Sequence, residues 1–329
     1  MGGMTMIAPT PFGFAPPLAH WAYTRQRFER LLANLQLLPN QISDGETKHS
    51  GVVDTLNRAY WGYESKTANR LLVGSWGKGT RVRPPRDIDV MFVLPPGVYH
   101  RFEQRIGNRQ SQLLQEIKDV LVPSYPTTTM RGDGQVVVVA FDTYQIEVIP
   151  AFSAAGGGYL ICDTNGGGRY KWVDPVAEAS DFFAMDAAYN GNARRLVEIF
   201  KQWQRYCDVP IKSFHLEAMV KAVLPNTRYR GLFADGSYHD YGAGELDEWW
   251  FDWLVRDAFA SMLGWGNGRF AMPVTGEVIQ LGDAWLSKAH TAHARAVKAS
   301  EYEQFNQNQA AGDEWQKIFG TMIPQVVTW

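Results

Sequence analysis

Apolar residues recur at helical spacing from Trp21 to about Leu38, where Trp21, Phe28, Leu31, Leu32 and Leu35 share one side, and this predicts an amphipathic helix. Gly45 to Ser50 interrupts the pattern. A second helix is expected from Val52 to about Lys66, with Val53, Leu56, Ala59 and Tyr60 on one side. Leu71 to Val73 is short and apolar and reads as a strand ending at Gly74. A second strand runs from Asp87 to Leu94 and stops at Pro95-Pro96-Gly97. One long helix is expected over Tyr99 to Val122, with Phe102, Ile106, Leu113, Leu114, Ile117 and Leu121 facing inward. Gln135 to Phe141 and Tyr144 to Ile149 are β-rich runs flanking Asp142-Thr143, the pattern of a hairpin. Tyr159 to Cys162 adds a strand.

After the glycine-rich loop Asn165 to Gly168 the pattern turns helical. Helices are expected at Pro175 to Tyr189, Asn192 to Tyr206, Ser213 to Val223, Glu245 to Leu263 and Gly282 to Gln309. Trp249, Trp250 and Trp253 fit helix packing better than base stacking. No internal repeat is visible. The predicted class is α+β: a mixed sheet with flanking helices, then a helical domain. Residues 1–17, rich in Gly, Pro and Met, are expected to form a flexible tail; 18–170 the sheet domain with its N-terminal helices; and 171–329 the helical domain.

The 329 residues, 45% of them hydrophobic, can bury one large core or two smaller ones. No stretch resembles a membrane span, and the first residues lack the basic flank and apolar run of a secretory signal. Cys162 and Cys207 have no metal-site spacing, so a cytoplasmic protein with reduced thiols is expected. The net charge of −2 argues against a general affinity for nucleic acid. The local charge differs. Lys66, Arg70, Lys78, Arg81, Arg83 and Arg86 crowd one stretch without an acid, and two aspartates follow.

Those aspartates carry the strongest chemical signal. Asp87 and Asp89 sit at i and i+2 of an apolar strand, so they share a face while Ile88 and Val90 point into the core. Adjacent like charges are costly unless a cation lies between them. A basic stretch beside them suits a polyanion that also carries a metal. Glu147, between the apolar Ile146 and Val148, is the candidate third acid on a neighbouring strand. Three acids from two strands can hold two divalent ions for phosphoryl chemistry. Gly77-Lys78-Gly79-Thr80 is not a Walker A loop, because Gly79 separates Lys78 from Thr80. His290 and His293 lack a third ligand nearby and read as exposed helix residues.

Gly74-Ser75, then eleven residues, then Asp87-Ile88-Asp89-Val90, and later Glu147 between apolar neighbours, resembles the DNA polymerase β-like nucleotidyltransferase superfamily. Within it, Gly74-Ser75-Trp76-Gly77-Lys78-Gly79-Thr80, Glu147-Val148-Ile149-Pro150-Ala151-Phe152 and Lys212-Ser213-Phe214-His215-Leu216-Glu217 resemble the bacterial cGAS/DncV-like nucleotidyltransferases. The likeness runs from the first helices to about Val223. It implies a bilobal enzyme whose helical domain closes over a nucleotide cleft. It implies Asp87, Asp89 and Glu147 as catalytic acids holding Mg²⁺, or Mn²⁺. Gly74 and Ser75 would seat a phosphate, Lys201 and Ser213 would reach the donor triphosphate, and Phe214 would stack on the donor base. The third acid is often aspartate in the superfamily, and here it is glutamate.

The substrates implied are nucleoside triphosphates, ATP among them with GTP or others as alternatives. The product implied is a cyclic di- or trinucleotide that activates a separate effector in anti-phage signalling, with no obligatory nucleic acid and no membrane. Two other readings remain: transfer to RNA ends, a protein or a small molecule, and a catalytically silent nucleotide sensor.

Overall fold

The computed structural model describes residues 22–232, 237–246, 248–272 and 274–328. The expected tail of residues 1–17 and Trp21 lie outside them. Two compact units divide the chain: one is chiefly Leu37–Phe182, and the other comprises the described residues within Met1–Gln36, Phe183–Met272 and Gly276–Trp329.

The first unit is built on a seven-stranded sheet. Its strands are β1 (Arg70–Leu72), β2 (Asp87–Val93), β3 (Thr129–Asp133), β4 (Val136–Ala140), β5 (Gln145–Ser153), β6 (Tyr159–Asp163) and β7 (Arg169–Val173). The main path runs β1-β2-β5-β4-β3, with β6 joined to β5 and β7 to β6. β2 and β5 are parallel and every other pair is antiparallel, so the sheet is mixed as the sequence predicts. The expected hairpin is present, with Val139 opposite Ile146 and Phe141 N–H donating to the Tyr144 carbonyl.

Strand parity decides which face is core. Ile88, Val90 and Phe92 of β2, with Ile146 and Val148 of β5, are buried in one large apolar cluster. That cluster also takes Val52, Val53 and Leu56 from α2 (Pro39–Trp61) and Leu113, Leu114, Ile117 and Leu121 from α5 (Arg109–Leu121). The opposite face is thinly covered: Met91, Ala151 and Ile161 form a small cluster at one end. Asp87, Asp89 and Glu147 share that parity.

The sequence misplaces three helix boundaries in this unit. The helix expected to reach about Lys66 ends at Trp61, where Gly62 at φ +74° closes it. Gly45 to Ser50 does not break α2, which runs unbroken from Pro39 to Trp61. Gly45 is there for closeness: a Cβ on it would stand 2.9 Å from the Trp76 ring and 3.0 Å from Ile88. Conversely, Tyr99 to Val122 is not one helix. α4 (Pro96–Glu103) ends before Gly107, whose φ of +85° no helix accepts, and Asn108 then caps α5 by accepting from Ser111 N–H at 2.9 Å. Ile106, expected inward, falls in this break and is almost fully exposed.

The second unit is helical: α1 (Ala22–Leu35), α6 (Pro175–Ala188), which begins in the first unit, α7 (Asn192–Tyr206), α8 (Ser213–Val223), α9 (Phe251–Leu263), α10 (Leu286–Gln304) and α11 (Asn308–Phe319). The expected Gly282 to Gln309 helix stops at Gln304, and Asn306 at φ +56° turns the chain into α11. Two small antiparallel ribbons were not legible in the sequence: β8 (Arg228–Leu232) with β9 (Tyr238–Gly242), and β10 (Arg269–Ala271) with β11 (Val278–Gln280). Trp250 and Trp253 pack edge to face at 5.4 Å, as helix-packing residues.

α1, expected with the sheet domain, packs among the helices instead. Phe28 meets Phe251 and Trp315 edge-on, and Arg27, fully buried, donates to Glu303 at 2.7 Å. An apolar stripe records that a helix buries one face, not which partner receives it.

Candidate active site

The three acids come from two neighbouring strands. In the parallel register Asp89 is directly opposite Glu147, and Asp87 is opposite Gln145. Asp87 is exposed, while Asp89 and Glu147 are half-buried. The Glu147 carboxyl is pushed up to about 7, first by burial and then by the negative charges of Asp89 and Asp87. Asp133 pushes the same way and Arg131 opposes it. β3 supplies both of these, two strands from Glu147 along the row Glu147, Val138 of β4, Arg131.

A short turn of helix lies beside the acids. α3 (Gly74–Lys78) follows β1, and Val73 N–H donates to the Asp89 carbonyl at 3.1 Å. Gly74 has φ +56°, and a Cβ on it would run into the Asp89 carboxylate, 3.0 Å from its Cγ. Only glycine accepts both that backbone and that approach. Trp76 anchors the turn. It is buried against Gly45, with His49 and Tyr144 edge-on at 6.0 Å and the Arg81 guanidinium over its ring at 4.9 Å. Tyr144 is itself fixed by donating to the Gln41 carbonyl at 2.8 Å. Sequence inspection gave Trp76 no such role.

Three carboxylate donors on one face match the hard-oxygen preference of Mg²⁺ or Mn²⁺, and after burial it is the Asp89 and Asp87 charges, which such an ion would offset, that raise the Glu147 carboxyl. Their side chains do not converge: among the described residues no group of three His, Cys, Asp or Glu stands close enough to hold a metal. The donor chemistry fits the ion, and the side-chain arrangement is an open one.

Lys201, Ser213 and Phe214 lie in the helical unit. Lys201 is buried on α7, and its Nζ donates to Glu217 Oε1 of α8 at 3.4 Å. Ser213 opens α8 and donates to Gln204 Oε1 at 3.2 Å. Phe214 is exposed at 39%, with the Lys212 ammonium 5.8 Å from its ring centre and His215 edge-on at 4.3 Å. α7 and α8 thus bring Lys201, Gln204, Ser213 and Glu217 into one polar cluster. Glu217 and Gln204 were missed in the sequence, although Gln204, three residues beyond Lys201, and Glu217, four beyond Ser213, sit at helical contact spacing.

Residues 23–184 match the model of the Second Messenger Oligonucleotide or Dinucleotide Synthetase domain. The chain belongs to that family, the bacterial cGAS/DncV-like nucleotidyltransferases. It is a nucleotidyltransferase. A probable cyclic nucleotide synthase of Bacillus cereus is 22% identical over 306 residues, covering 83% of this chain and 86% of that protein. The fold is that of the polymerase β-like enzymes. The CdnG enzyme of Bradyrhizobium diazoefficiens in complex with GTP superposes with a TM-score of 0.61 at 12% identity, over 92% of this chain and 96% of that one. The Vibrio cholerae DncV cyclic AMP-GMP synthase, solved with the linear intermediate 5′ pppA(3′,5′)pG, does so with a TM-score of 0.58 at 14% identity, over 92% of this chain and 87% of that one. Among the described residues no helix is long and apolar enough to cross a membrane.

Proposed function

We propose that this chain joins nucleoside triphosphates into a cyclic di- or trinucleotide at a site whose acids are Asp87, Asp89 and Glu147. The observation that carries the reading is the register of β2 on β5, which sets Glu147 opposite Asp89 on a face where burial, and then the charges of Asp89 and Asp87, raise the Glu147 carboxyl to about 7. The three carboxylates would hold Mg²⁺, with Mn²⁺ an alternative. When bound, such an ion acidifies the attacking ribose hydroxyl and neutralises triphosphate charge.

The protein's own groups do the rest. Gly74, lacking a Cβ, lets the backbone approach a phosphate, and Ser75 donates its hydroxyl to it. In the helical unit Lys201 and Ser213 are assigned to the donor triphosphate, and exposed Phe214 offers a ring face to the donor base. The acceptor hydroxyl attacks the α-phosphorus, the P–O bond to the β-phosphate breaks, pyrophosphate leaves and the hydroxyl proton passes to a carboxylate. A second transfer within the linear product closes the ring, as the linear intermediate held by the Vibrio cholerae enzyme suggests for a relative. The product then activates a separate effector in anti-phage defence.

Incubation of the purified protein with Mg²⁺ and the four labelled nucleoside triphosphates tests this. A phosphatase-resistant product formed without added acceptor is expected. Products that need RNA would replace the reading with RNA tailing, and binding without pyrophosphate release would make the chain a sensor.

A further inference from the structure

In the helical unit a cavity of about 270 Å³ lies where the C-terminal end of α7 meets α10 and α11. It is near the lower limit for a small-molecule site. Its charge is one-sided: Lys288, Arg295 and Lys317 line it, against the single carboxylate of Asp208.

Two of the three cations have structural explanations. Arg295 and Lys317 share Glu314, at 3.0 and 2.8 Å. Lys317 also lies in the last turn of α11, where the helix dipole favours a cation. Lys288 has neither explanation. It is exposed in the first turn of α10, the dipole's unfavourable end for a cation, that turn carries no acid, and among the described residues Lys288 has no ion-pair partner.

Trp203, fully buried, lines the cavity. The open cation is Lys288, and a small multiply charged oxyanion would meet it together with Arg295 and Lys317.

We infer that this cavity is a binding site for a compact phosphate-bearing anion, formed by Lys288, Arg295 and Lys317. Phosphate suits it better than a carboxylate because several tetrahedral oxygens can meet several separate cations at once. Two residues along α7 from Lys201, Trp203 faces about the other side of the helix, so the cavity is separate from the Lys201–Glu217 pair. Nothing in this inference depends on the assignment of the catalytic acids.

Calorimetric titration of the full chain in EDTA, at constant ionic strength, tests it with inorganic phosphate, pyrophosphate and adenosine monophosphate. Succinate serves as the carboxylate control. At least one phosphate is expected to bind at millimolar concentration or below, and the preferred member names the source. Lys288→Glu should weaken it roughly tenfold or more, and Lys288→Arg should hold it within about threefold. Asp87→Asn with Asp89→Asn should leave it unchanged. Lys288 is exposed, so both of its variants should keep the wild-type circular dichroism. Equal binding by Lys288→Glu, succinate matching the best phosphate, binding lost in the aspartate variant, or no phosphate bound would each overturn the site.

Discussion

Asp89 and Glu147 stand directly opposite one another on adjacent parallel strands, and the aspartate is the foremost charge holding the glutamate's proton on. Two carboxylates so placed repel in the metal-free protein and become useful when a cation lies between them.

Asp89→Asn should therefore separate stability from activity. In EDTA the variant is expected to melt at or slightly above the wild type, because a like-charge contact is gone. Mg²⁺ should raise the wild-type midpoint and move the variant's much less. Product formation should drop by roughly a thousandfold or more, the scale of losing a group that acts on the reacting charge. Differential scanning fluorimetry with and without Mg²⁺, beside a product assay, reads both. A variant that keeps turnover would remove Asp89 from the site.

Gly74→Ala should damage the same place by another route. The added methyl group meets the Asp89 carboxylate, and alanine at φ +56° is strained. A loss of about 1–3 kcal/mol in stability and a disproportionate loss of activity are expected. Urea melts with parallel kinetics check this; a variant as active as wild type would show that the close approach is dispensable.

Gly45→Ala sets two effects against each other. Alanine gains up to ~1 kcal/mol in helix propensity, while overpacking against Trp76 and Ile88 costs about 1–3 kcal/mol. Net destabilisation is expected, since both neighbours are buried core residues. Adding Trp76→Leu should reduce the penalty of the glycine change in a double-mutant cycle. Additivity would mean that the glycine serves some other end.

Asp252 makes stability depend on pH. It is buried, one carboxylate oxygen lacks a partner among the described residues, and burial followed by the Glu303 charge raises its pKa to about 8 from 3.8. The folded state thus binds a proton that the unfolded state releases between these values. Its contribution is full below pH 4, falls as pH rises toward 8, and is flat above that. Asp252→Asn cannot ionise. Its stability relative to wild type should rise across that window by an amount on the order of a few kcal/mol. Denaturant midpoints at pH 5, 7 and 9 would reveal it, and a constant difference between the two proteins would refute the assignment.

Several features of the site were legible before folding. Period-two alternation put Asp87 and Asp89 on one face, and the run around Glu147 marked the neighbouring strand; both placements agree with the sheet. Less was legible about Lys201. Its helix was clear, but Glu217 and Gln204 come from tertiary packing of α7 on α8.

The sequence by itself determined the local quantities: which residues alternate, which helix faces are apolar, and where a Gly-Ser precedes paired acids. These follow from chain geometry within a few residues. Only the tertiary structure decided the non-local ones. It made β2 and β5 parallel, so that Asp89 faces Glu147. It used Gly45 as a contact with Trp76 rather than a helix stop, and it packed α1 with α9 and α11 through Phe28. The physical reason is common to all three. Hydrophobic burial is non-directional, and a buried face or a missing Cβ does not name its partner until the chain has closed around it.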